Sequence, residues 1–326
     1  MHTTIGRREF VAALVGAFSW PVAALAQPRF TIGVLSTTAA PGTFFFAPFI
    51  AKLEELGYQE GKNIVIERRF AAGNEQQLKE MAEELVRQRV NIIVTVGTPA
   101  GFAAKRATNT IPIVFGAISD PVGTGLVASL ARPGGNATGN SLMAPDLSAK
   151  RLEILRTLGP QMTRFAILWD SSNPGMAERV RETKVAADQT HVLLHTVGPR
   201  NVDELEGAFA ELVKQRPDAL LVTTEAFTRQ HLGRIVEFAN KNKYPTMFED
   251  SSFVDAGGLM SYGPNYDEIF RTAAVFVSKI MKGAKPAELP VEQPTKFDLV
   301  INLRTAKMLG IEIPPTLLTM AGRVIE

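Results

Sequence analysis

Residues 111–139 read I-P-I-V-F-G-A-I-S-D-P-V-G-T-G-L-V-A-S-L-A-R-P-G-G-N-A-T-G, and this stretch contains a strand, a helix start and a stop signal. The apolar run at 111–115 predicts a buried parallel strand. Ser119-Asp120-Pro121 then provides an N-cap and a first-turn proline for a helix predicted at 122–130. Arg132-Pro133-Gly134-Gly135 ends that helix. We interpret the stretch as the last unit of one lobe and the start of a passage to another.

Strands and helices alternate on both sides of this stretch, which is typical of doubly wound parallel sheets. Upstream, strands are predicted at 30–35, 63–69 and 91–96; downstream, the same rhythm recurs at 164–169, 191–197, 219–222 and 244–248. The chain of 326 residues is long enough for two lobes, since single cores stop growing near ~250–300 residues. We therefore predict an α/β fold of two doubly wound, Rossmann-like lobes.

The C-terminal segments contain too few elements to form a third core. They comprise a short strand at 257–263, a helix at 267–281, a strand at 297–302 and a helix at 303–309. We expect them to complete the existing sheets, which requires three hinge crossings, near 139–143, 252–256 and 288–295. The predicted lobes are then residues 27–141 with 254–290, and residues 142–253 with 291–326.

Residues 1–26 have the composition of a signal peptide. A basic segment containing Arg7 and Arg8 precedes a mostly apolar one, and Ala24-Leu25-Ala26 forms a cleavage site. The paired arginines resemble a twin-arginine signal, although Sec export stays open, as does an uncleaved signal anchor. Because the chain has no cysteine, a disulfide and a lipidated cysteine are both excluded. We expect a periplasmic protein that is cleaved near Ala26.

Charge and motif content argue against several classes of function. The formal net charge is +2 without a basic tract, so nucleic acid is a poor partner. Dinucleotide, P-loop and nucleophile-elbow motifs do not occur, and neither carboxylates nor histidines have a spacing that demands catalysis. His191 and His195 share one face of a predicted strand without a third metal ligand. We predict no enzyme, no cofactor and no metal.

Ligands of doubly wound sheets bind beyond the carboxyl ends of the strands. Six predicted loops lie there, and each precedes a helix whose free N–H groups favour an anion. The candidate ligand-binding residues on or beside these loops are Ser36, Thr37, Phe45, Gly97, Thr98, Ser119, Asp120, Asp170, Ser171, Asn173, Thr224, Glu225 and Asp250.

These candidates divide by chemistry. We expect the hydroxyl groups of Ser36, Thr37 and Thr98 to bind a ligand carboxylate. One carboxylate would then accept an ammonium or hydroxyl group, and the sequence leaves open which of Asp120, Asp170 and Glu225 this is. For any single residue the alternative is that it only caps its own helix.

Two aromatic positions also have alternative roles. Phe45 belongs to the run Phe44-Phe45-Phe46 at a predicted loop–helix junction. A ring of this run that faces the cleft would stack on an aromatic or apolar ligand group, whereas the alternative places the run in the core. Tyr262, between glycines at a predicted crossing, either reaches the ligand or packs at the hinge.

Several longer motifs resemble those of a known family. They are Leu56-Gly57-Tyr58, Glu60-Gly61-Lys62-Asn63, Ile111-Pro112-Ile113-Val114-Phe115, Asp120-Pro121-Val122-Gly123-Thr124-Gly125-Leu126-Val127, Leu130-Ala131-Arg132-Pro133-Gly134-Gly135-Asn136, Gly257-Gly258-Leu259-Met260-Ser261-Tyr262-Gly263, Gly283-Ala284-Lys285-Pro286, Leu289-Pro290-Val291-Glu292-Gln293-Pro294-Thr295-Lys296-Phe297, Leu299-Val300-Ile301-Asn302-Leu303 and Thr305-Ala306-Lys307. Across nearly all of residues 29–326 the chain resembles the ABC-transporter substrate-binding proteins of type I periplasmic-binding fold, in the branch related to tryptophan and aromatic-amino-acid binders.

The resemblance implies two hinged lobes, capture of a ligand by closure, and delivery to an inner-membrane ABC permease. We accordingly expect a monomer that binds a small organic solute, an amino acid or a related carboxylate. A sensory subunit read by a membrane receptor is the alternative, and the sequence does not separate the two. A periplasmic enzyme on the same scaffold is a third hypothesis, which turnover of a bound ligand would support.

Overall fold

The computed structural model describes residues 29–38, 45–142 and 146–326, so the predicted signal peptide lies outside the described residues. Two β-sheets, one of five strands and one of seven, form the centres of two α/β lobes. The predicted two-lobe α/β architecture is thus confirmed. No helix within the described ranges is long and apolar enough to cross a membrane.

The sheet of the first lobe is entirely parallel and has the strand order β2-β1-β3-β4-β5. Its strands are β1 (Phe30–Ser36), β2 (Ile64–Phe70), β3 (Ile92–Val96), β4 (Ile113–Ile118) and β5 (Ala137–Ser141). Its helices are α1 (Phe46–Glu55), α2 (Glu75–Arg87) and α3 (Thr98–Ala107), together with α10 (Tyr266–Met281) from the C-terminal part of the chain.

Helices cover both faces of this first sheet, which explains why its strands are almost continuously apolar. On one face α1 and α10 pack together over residues such as Ile32 and Val34. On the other face α2 and α3 pack over residues such as Leu35 and Ile93. The two layers leave the carboxyl ends of the strands as the uncovered edge that can accept a ligand.

The second sheet has the order β12-β11-β10-β9-β8-β6-β7, and only its β10–β11 pairing is antiparallel. Its strands are β6 (Arg164–Leu168), β7 (Leu193–Val197), β8 (Ala219–Val222), β9 (Thr246–Phe248), β10 (Met260–Pro264), β11 (Phe297–Asn302) and β12 (Arg323–Ile325). Its helices are α4 (Asp146–Arg156), α5 (Pro174–Gln189), α6 (Val202–Gln215), α7 (Ala226–Gln230), α8 (Leu232–Lys241), α9 (Ser251–Asp255), α11 (Leu303–Leu309) and α12 (Pro315–Met320). A 3₁₀ turn, Pro286–Glu288, precedes β11.

One crossing between the sheets lies later in the chain than expected. We predicted it near 252–256, but β10 pairs with β9 and β11, so residues 254–264 belong to the second sheet. The chain returns to the first lobe between Pro264 and Tyr266, where α10 begins. The last crossing follows Glu292, whose backbone still bonds to Gly139 and Ser141 of β5. Val291 therefore also belongs to the first lobe, where it is buried.

Two local predictions for residues 111–141 were wrong. The helix predicted at 122–130 is a series of turns, and the polar passage after Asn136 is β5. In the turns, the Asp120 carboxylate accepts the N–H groups of Val122 and Gly123 at 3.2 and 2.8 Å. These contacts are those of a helix start, but Gly125 then has φ +73°, which a right-handed helix does not contain, so no regular helix follows.

Candidate functional site

The carboxyl ends of the two sheets face each other across a space of about 500 Å³ that is partly open to solvent. Residues of the first lobe that line it are Thr37, Thr38, Val96, Gly97, Thr98, Ala117 and Ser119. Residues of the second lobe that line it are Asn173, Met176, Thr224, Glu225, Ala226 and Arg229. Leu142 and Tyr266, both beside crossings, complete the wall. We call this space the interlobe cavity.

The wall on the first lobe is built from three strand ends tied together by hydrogen bonds. The Thr37 hydroxyl donates to the Val96 carbonyl oxygen at 3.3 Å, and the Ser119 N–H donates to Thr98 Oγ1 at 3.5 Å. Gly97 has φ +91°, and a Cβ there would lie 2.5 Å from Thr37 Oγ1. Glycine is therefore required where α3 begins, and the first N–H groups of that helix lie at the cavity, where they favour an anion.

The wall on the second lobe presents polar atoms that the protein itself leaves unsatisfied. Among the described residues, buried Thr224 Oγ1 and Glu225 Oε1 have no hydrogen-bond partner. The other carboxylate oxygen, Glu225 Oε2, accepts a hydrogen bond from Thr223 Oγ1 at 2.8 Å. Burial raises the pKa of Glu225 to about 8, and the negative charges of Asp170 and Glu249 contribute. Buried polar atoms without partners are rare, so Thr224 Oγ1 and Glu225 Oε1 stay candidates for contact with a ligand.

A cation and a phenol ring lie side by side at one end of the interlobe cavity. The Arg229 guanidinium is 5.5 Å from the centroid of the Tyr266 ring and forms an ion pair with Asp250 at 3.1 Å. Burial raises the pKa of Tyr266 to about 12. The phenol therefore stays neutral at physiological pH and offers the cavity an aromatic surface.

Behind this wall, Glu249 lies between two buried arginines. Its carboxylate pairs with Arg151 at 2.9 Å and with Arg179, and it accepts the Thr224 N–H at 3.0 Å. Burial alone would raise the pKa of Glu249, but the two guanidinium groups outweigh burial and hold that pKa below its ordinary value. The cluster of Arg151, Glu249 and Arg179 thereby fixes the backbone that carries Thr224 and Glu225.

The structure brings seven of the predicted candidates together around the interlobe cavity. They are Thr37, Gly97, Thr98, Ser119, Asn173, Thr224 and Glu225. They come from both lobes, as expected of loops at the carboxyl ends of parallel strands. Whether they contact a ligand stays a prediction.

Three predicted carboxylates lie beside the interlobe cavity rather than in its wall. Asp120 lines a neighbouring cavity of about 440 Å³ together with Tyr266. Asp170 lines a wider outer cavity and accepts hydrogen bonds from the N–H and hydroxyl of Ser172. Asp250 pairs with Arg229 and so positions a residue of the wall.

The remaining three candidates do not line the interlobe cavity and have other contacts. Phe45 packs against Phe46 and Phe270 in the core of the first lobe, at centroid distances of 5.6 and 5.2 Å. It is buried, which favours the core interpretation of the phenylalanine run. The Ser36 hydroxyl bonds to Thr38 Oγ1 at 2.8 Å, and the Ser171 hydroxyl donates to the Gly198 carbonyl oxygen at 2.6 Å.

Sequence reasoning missed several residues of the wall, chiefly Tyr266, Arg229 and Met176. Tyr266 begins α10 directly after a crossing, and the crossing had been expected about ten residues earlier. Asn265 is the N-cap of α10 and accepts the Glu268 N–H at 3.2 Å, so an asparagine at this position could have indicated that the helix begins at Tyr266. Within the described ranges, no group of three or more His, Cys, Asp or Glu residues could hold a metal ion.

A two-lobe α/β protein with a cavity between the strand ends of its lobes has the architecture of a solute-binding protein. Residues 45–325 match the family model described as ABC transporter substrate binding protein. The chain belongs to this family.

Individual relatives have similar architecture. A tyrosine-binding protein of Clostridioides difficile (strain R20291) is 29% identical over 265 residues, which cover 81% of this chain and 76% of the relative. The ABC domain in complex with L-Trp from Streptococcus pneumonia is 28% identical, with a TM-score of 0.86 over 91% of this chain and all of that one. A ligand-free, open substrate-binding protein with adhesive properties from Clostridium difficile is 26% identical, with a TM-score of 0.66 over 91% and 99% of the two chains.

Proposed function

We propose that this protein captures an aromatic L-amino acid in the interlobe cavity and delivers it, chemically unchanged, to the permease of an ABC importer. Tyrosine and tryptophan appear in the names of two relatives that cover most of this chain. The export-signal composition of residues 1–26 supports a periplasmic location. We expect one chain to be sufficient for binding, since both walls of the cavity come from the same chain.

The main support for this proposal is that the cavity wall has separate polar and apolar parts. The Tyr266 ring and the side chains of Val96, Ala117, Leu142 and Met176 supply an apolar surface. The start of α3, with Thr98 and the nearby Ser119, supplies donors for a carboxylate on the first lobe. The unsatisfied oxygens of Thr224 and Glu225 lie on the second lobe. An aromatic amino acid has an apolar ring and two polar groups that match these three regions.

Contacts with both lobes also explain how binding would be signalled. A ligand that contacts both lobes stabilises their closed arrangement relative to the open one, which is a population shift. A permease that recognises the closed arrangement would then distinguish loaded from empty protein. Neither lobe alone contains the complete set of polar groups, so we expect neither to bind the ligand well by itself.

Thermal unfolding of the exported protein tests this proposal. Tryptophan, tyrosine and phenylalanine should each be compared with leucine, glutamate, ribose and a nucleoside. We expect at least one aromatic amino acid to raise the melting temperature, corresponding to about 2.7 kcal/mol at a hundredfold excess over its Kd. A panel in which no aromatic amino acid raises the melting temperature would contradict the proposal.

A further inference from the structure

We propose that Glu225 binds the ammonium group of the ligand and makes the site select amino acids over the corresponding 2-hydroxy and 2-oxo acids. This inference rests on the proposed function only in that the proposed function identifies the side chain of the ligand as aromatic. It concerns a different part of the ligand, because it assigns the ammonium group to Glu225 of the second lobe.

The carboxyl group of Glu225 is held in place but only half satisfied. Thr223 Oγ1 donates to Oε2 at 2.8 Å, while buried Oε1 has no partner among the described residues. Thr228 fixes the backbone on either side, because its hydroxyl accepts the Glu225 N–H at 3.3 Å and donates to the Thr223 carbonyl oxygen at 2.8 Å. A buried acceptor fixed in this way is suited to a donor that comes from outside the protein.

The described arginines near Glu225 pair with other carboxylates. No ion pair with Glu225 forms in the described parts of the chain, where Arg229 pairs with Asp250, and Arg151 and Arg179 pair with Glu249. The undescribed internal residues, 39–44 and 143–145, contain no lysine, arginine or histidine. An unpaired buried carboxylate is costly, so Glu225 can ionise at pH 7 only when a bound molecule brings a countercharge.

The other carboxyl groups near the cavity are already engaged, which separates Glu225 from the alternatives that the sequence left open. Asp120 accepts two backbone N–H groups of its own turn. Asp170 accepts the N–H and hydroxyl of Ser172. Asp250 and Glu249 are paired with arginines. Of this set, only Glu225 has a buried oxygen that lacks a hydrogen-bond partner among the described residues.

The surrounding charges determine the protonation of Glu225 before and after binding. Asp170 from the loop after β6 and Glu249 from the loop after β9 oppose its ionisation, while Arg179 of α5 and Arg229 of α7 are the nearby cations. With a pKa of about 8, Glu225 holds a proton in the empty protein at pH 7. An ammonium ion favours the carboxylate, so binding an amino acid should release close to one proton. Affinity should therefore rise as the pH increases toward 8.

Calorimetry with paired ligands tests the assignment. Tryptophan, tyrosine, phenylalanine, leucine and methionine are each compared with the matching 2-hydroxy acid, on wild type, Glu225→Gln and a control, Glu178→Gln. Glu178 is suitable as a control because it lines the neighbouring cavity and pairs with Arg181. Titrations at pH 7 in buffers of different ionisation enthalpy give the number of protons released. Melting temperatures confirm that each variant is folded.

We expect wild type and the control to prefer amino acids over hydroxy acids by about 100-fold or more, since a site built around a polar group rejects ligands that lack it. Glu225→Gln should reduce this preference at least about tenfold, change hydroxy-acid affinity little, and abolish proton release. Unchanged preference in Glu225→Gln, or equal binding of both ligand classes by wild type, would overturn the assignment. Binding confined to leucine or methionine would contradict the proposed aromatic ligand but leave the role of Glu225 supported. If no amino acid bound wild type, both proposals would fail.

Discussion

At the scale of single residues, the cluster of Arg151, Glu249 and Arg179 shows how charge is accommodated beside the cavity. Each side chain is largely buried, and the Glu249 carboxylate contacts both guanidinium groups and the Thr224 N–H. The Arg151 Nε–H donates to the Tyr262 carbonyl oxygen at 2.8 Å, so the cluster also holds β10. The sequence showed Glu249 only as a loop residue, because the arginines that pair with it lie 98 and 70 positions away in the chain.

We expect Glu249→Gln to destabilise the protein by about 3–5 kcal/mol, because two buried guanidinium groups would lose their countercharge. The matched control is Glu204→Gln, which removes a carboxylate from an exposed pair with Arg200 and should change stability far less, because solvent screens that pair. Urea denaturation of the two variants measures the difference. Equal stability of both variants would show that the buried cluster is not a structural requirement.

At the scale of elements, the sequence predicts the strands and helices that have strong apolar periodicity and misses those formed by small polar residues. The strands β1, β3, β6 and β8 and the helix α10 lie close to their expected positions. By contrast β5 has the sequence ATGNS and is fully buried. Its polar side chains are satisfied by distant backbone, since Thr138 and Asn140 donate to the carbonyl oxygens of Leu289 and Ile269 at 2.8 and 3.0 Å. A local sequence pattern does not reveal hydrogen-bond partners that lie more than a hundred residues away in the chain.

Gly139 lies in β5, and its replacement tests the close packing of that strand. A Cβ there would lie 2.0 Å from the Phe115 carbonyl oxygen, and the residue has φ +147°. We expect Gly139→Ala to destabilise the protein by more than about 2 kcal/mol, because backbone cannot move aside as a side chain can.

The control for this substitution is Gly207→Ala in α6, where nothing lies within 4 Å of the added Cβ. That change should stabilise the protein by about 0.5–1 kcal/mol, because alanine favours a helix more than glycine does. Both variants can be measured by thermal or urea unfolding. A neutral Gly139→Ala would contradict the packing described for β5.

At the scale of the whole molecule, the chain superposes better on the L-Trp-bound relative, with a TM-score of 0.86, than on the ligand-free open one, with 0.66. Sequence identity and coverage differ little between these two relatives, so divergence alone does not explain their unequal structural similarity. A close interlobe contact agrees with this, since a Cβ on Gly175 of α5 would lie 2.7 Å from Thr98 Oγ1 of α3. Both observations agree with a closed arrangement of the two lobes.

The sequence predicts the two lobes and the loops that face each other, but only part of the wall. Thr98 and Glu225 follow apolar strands, so the rule for strand ends finds them. Tyr266 lies at the start of a helix of the first lobe and faces residues of the second, which depends on where the chain crosses. The wall of the cavity is thus a property of lobe packing, and local sequence patterns do not encode it.

Closure around an amino acid is the central claim, and the absence of cysteine from the chain makes it directly measurable. Spin labels on the double variant Gln76→Cys and Asp203→Cys would lie on exposed residues of α2 and α6, the helices whose first turns line opposite sides of the outer cavity. Pulsed dipolar spectroscopy then gives the distance between the labels with and without an aromatic amino acid. We predict a longer, broader distribution for the empty protein and a shorter, narrower one when tryptophan or tyrosine is bound. A distribution that stays unchanged while calorimetry shows binding would contradict ligand capture by closure of the two lobes.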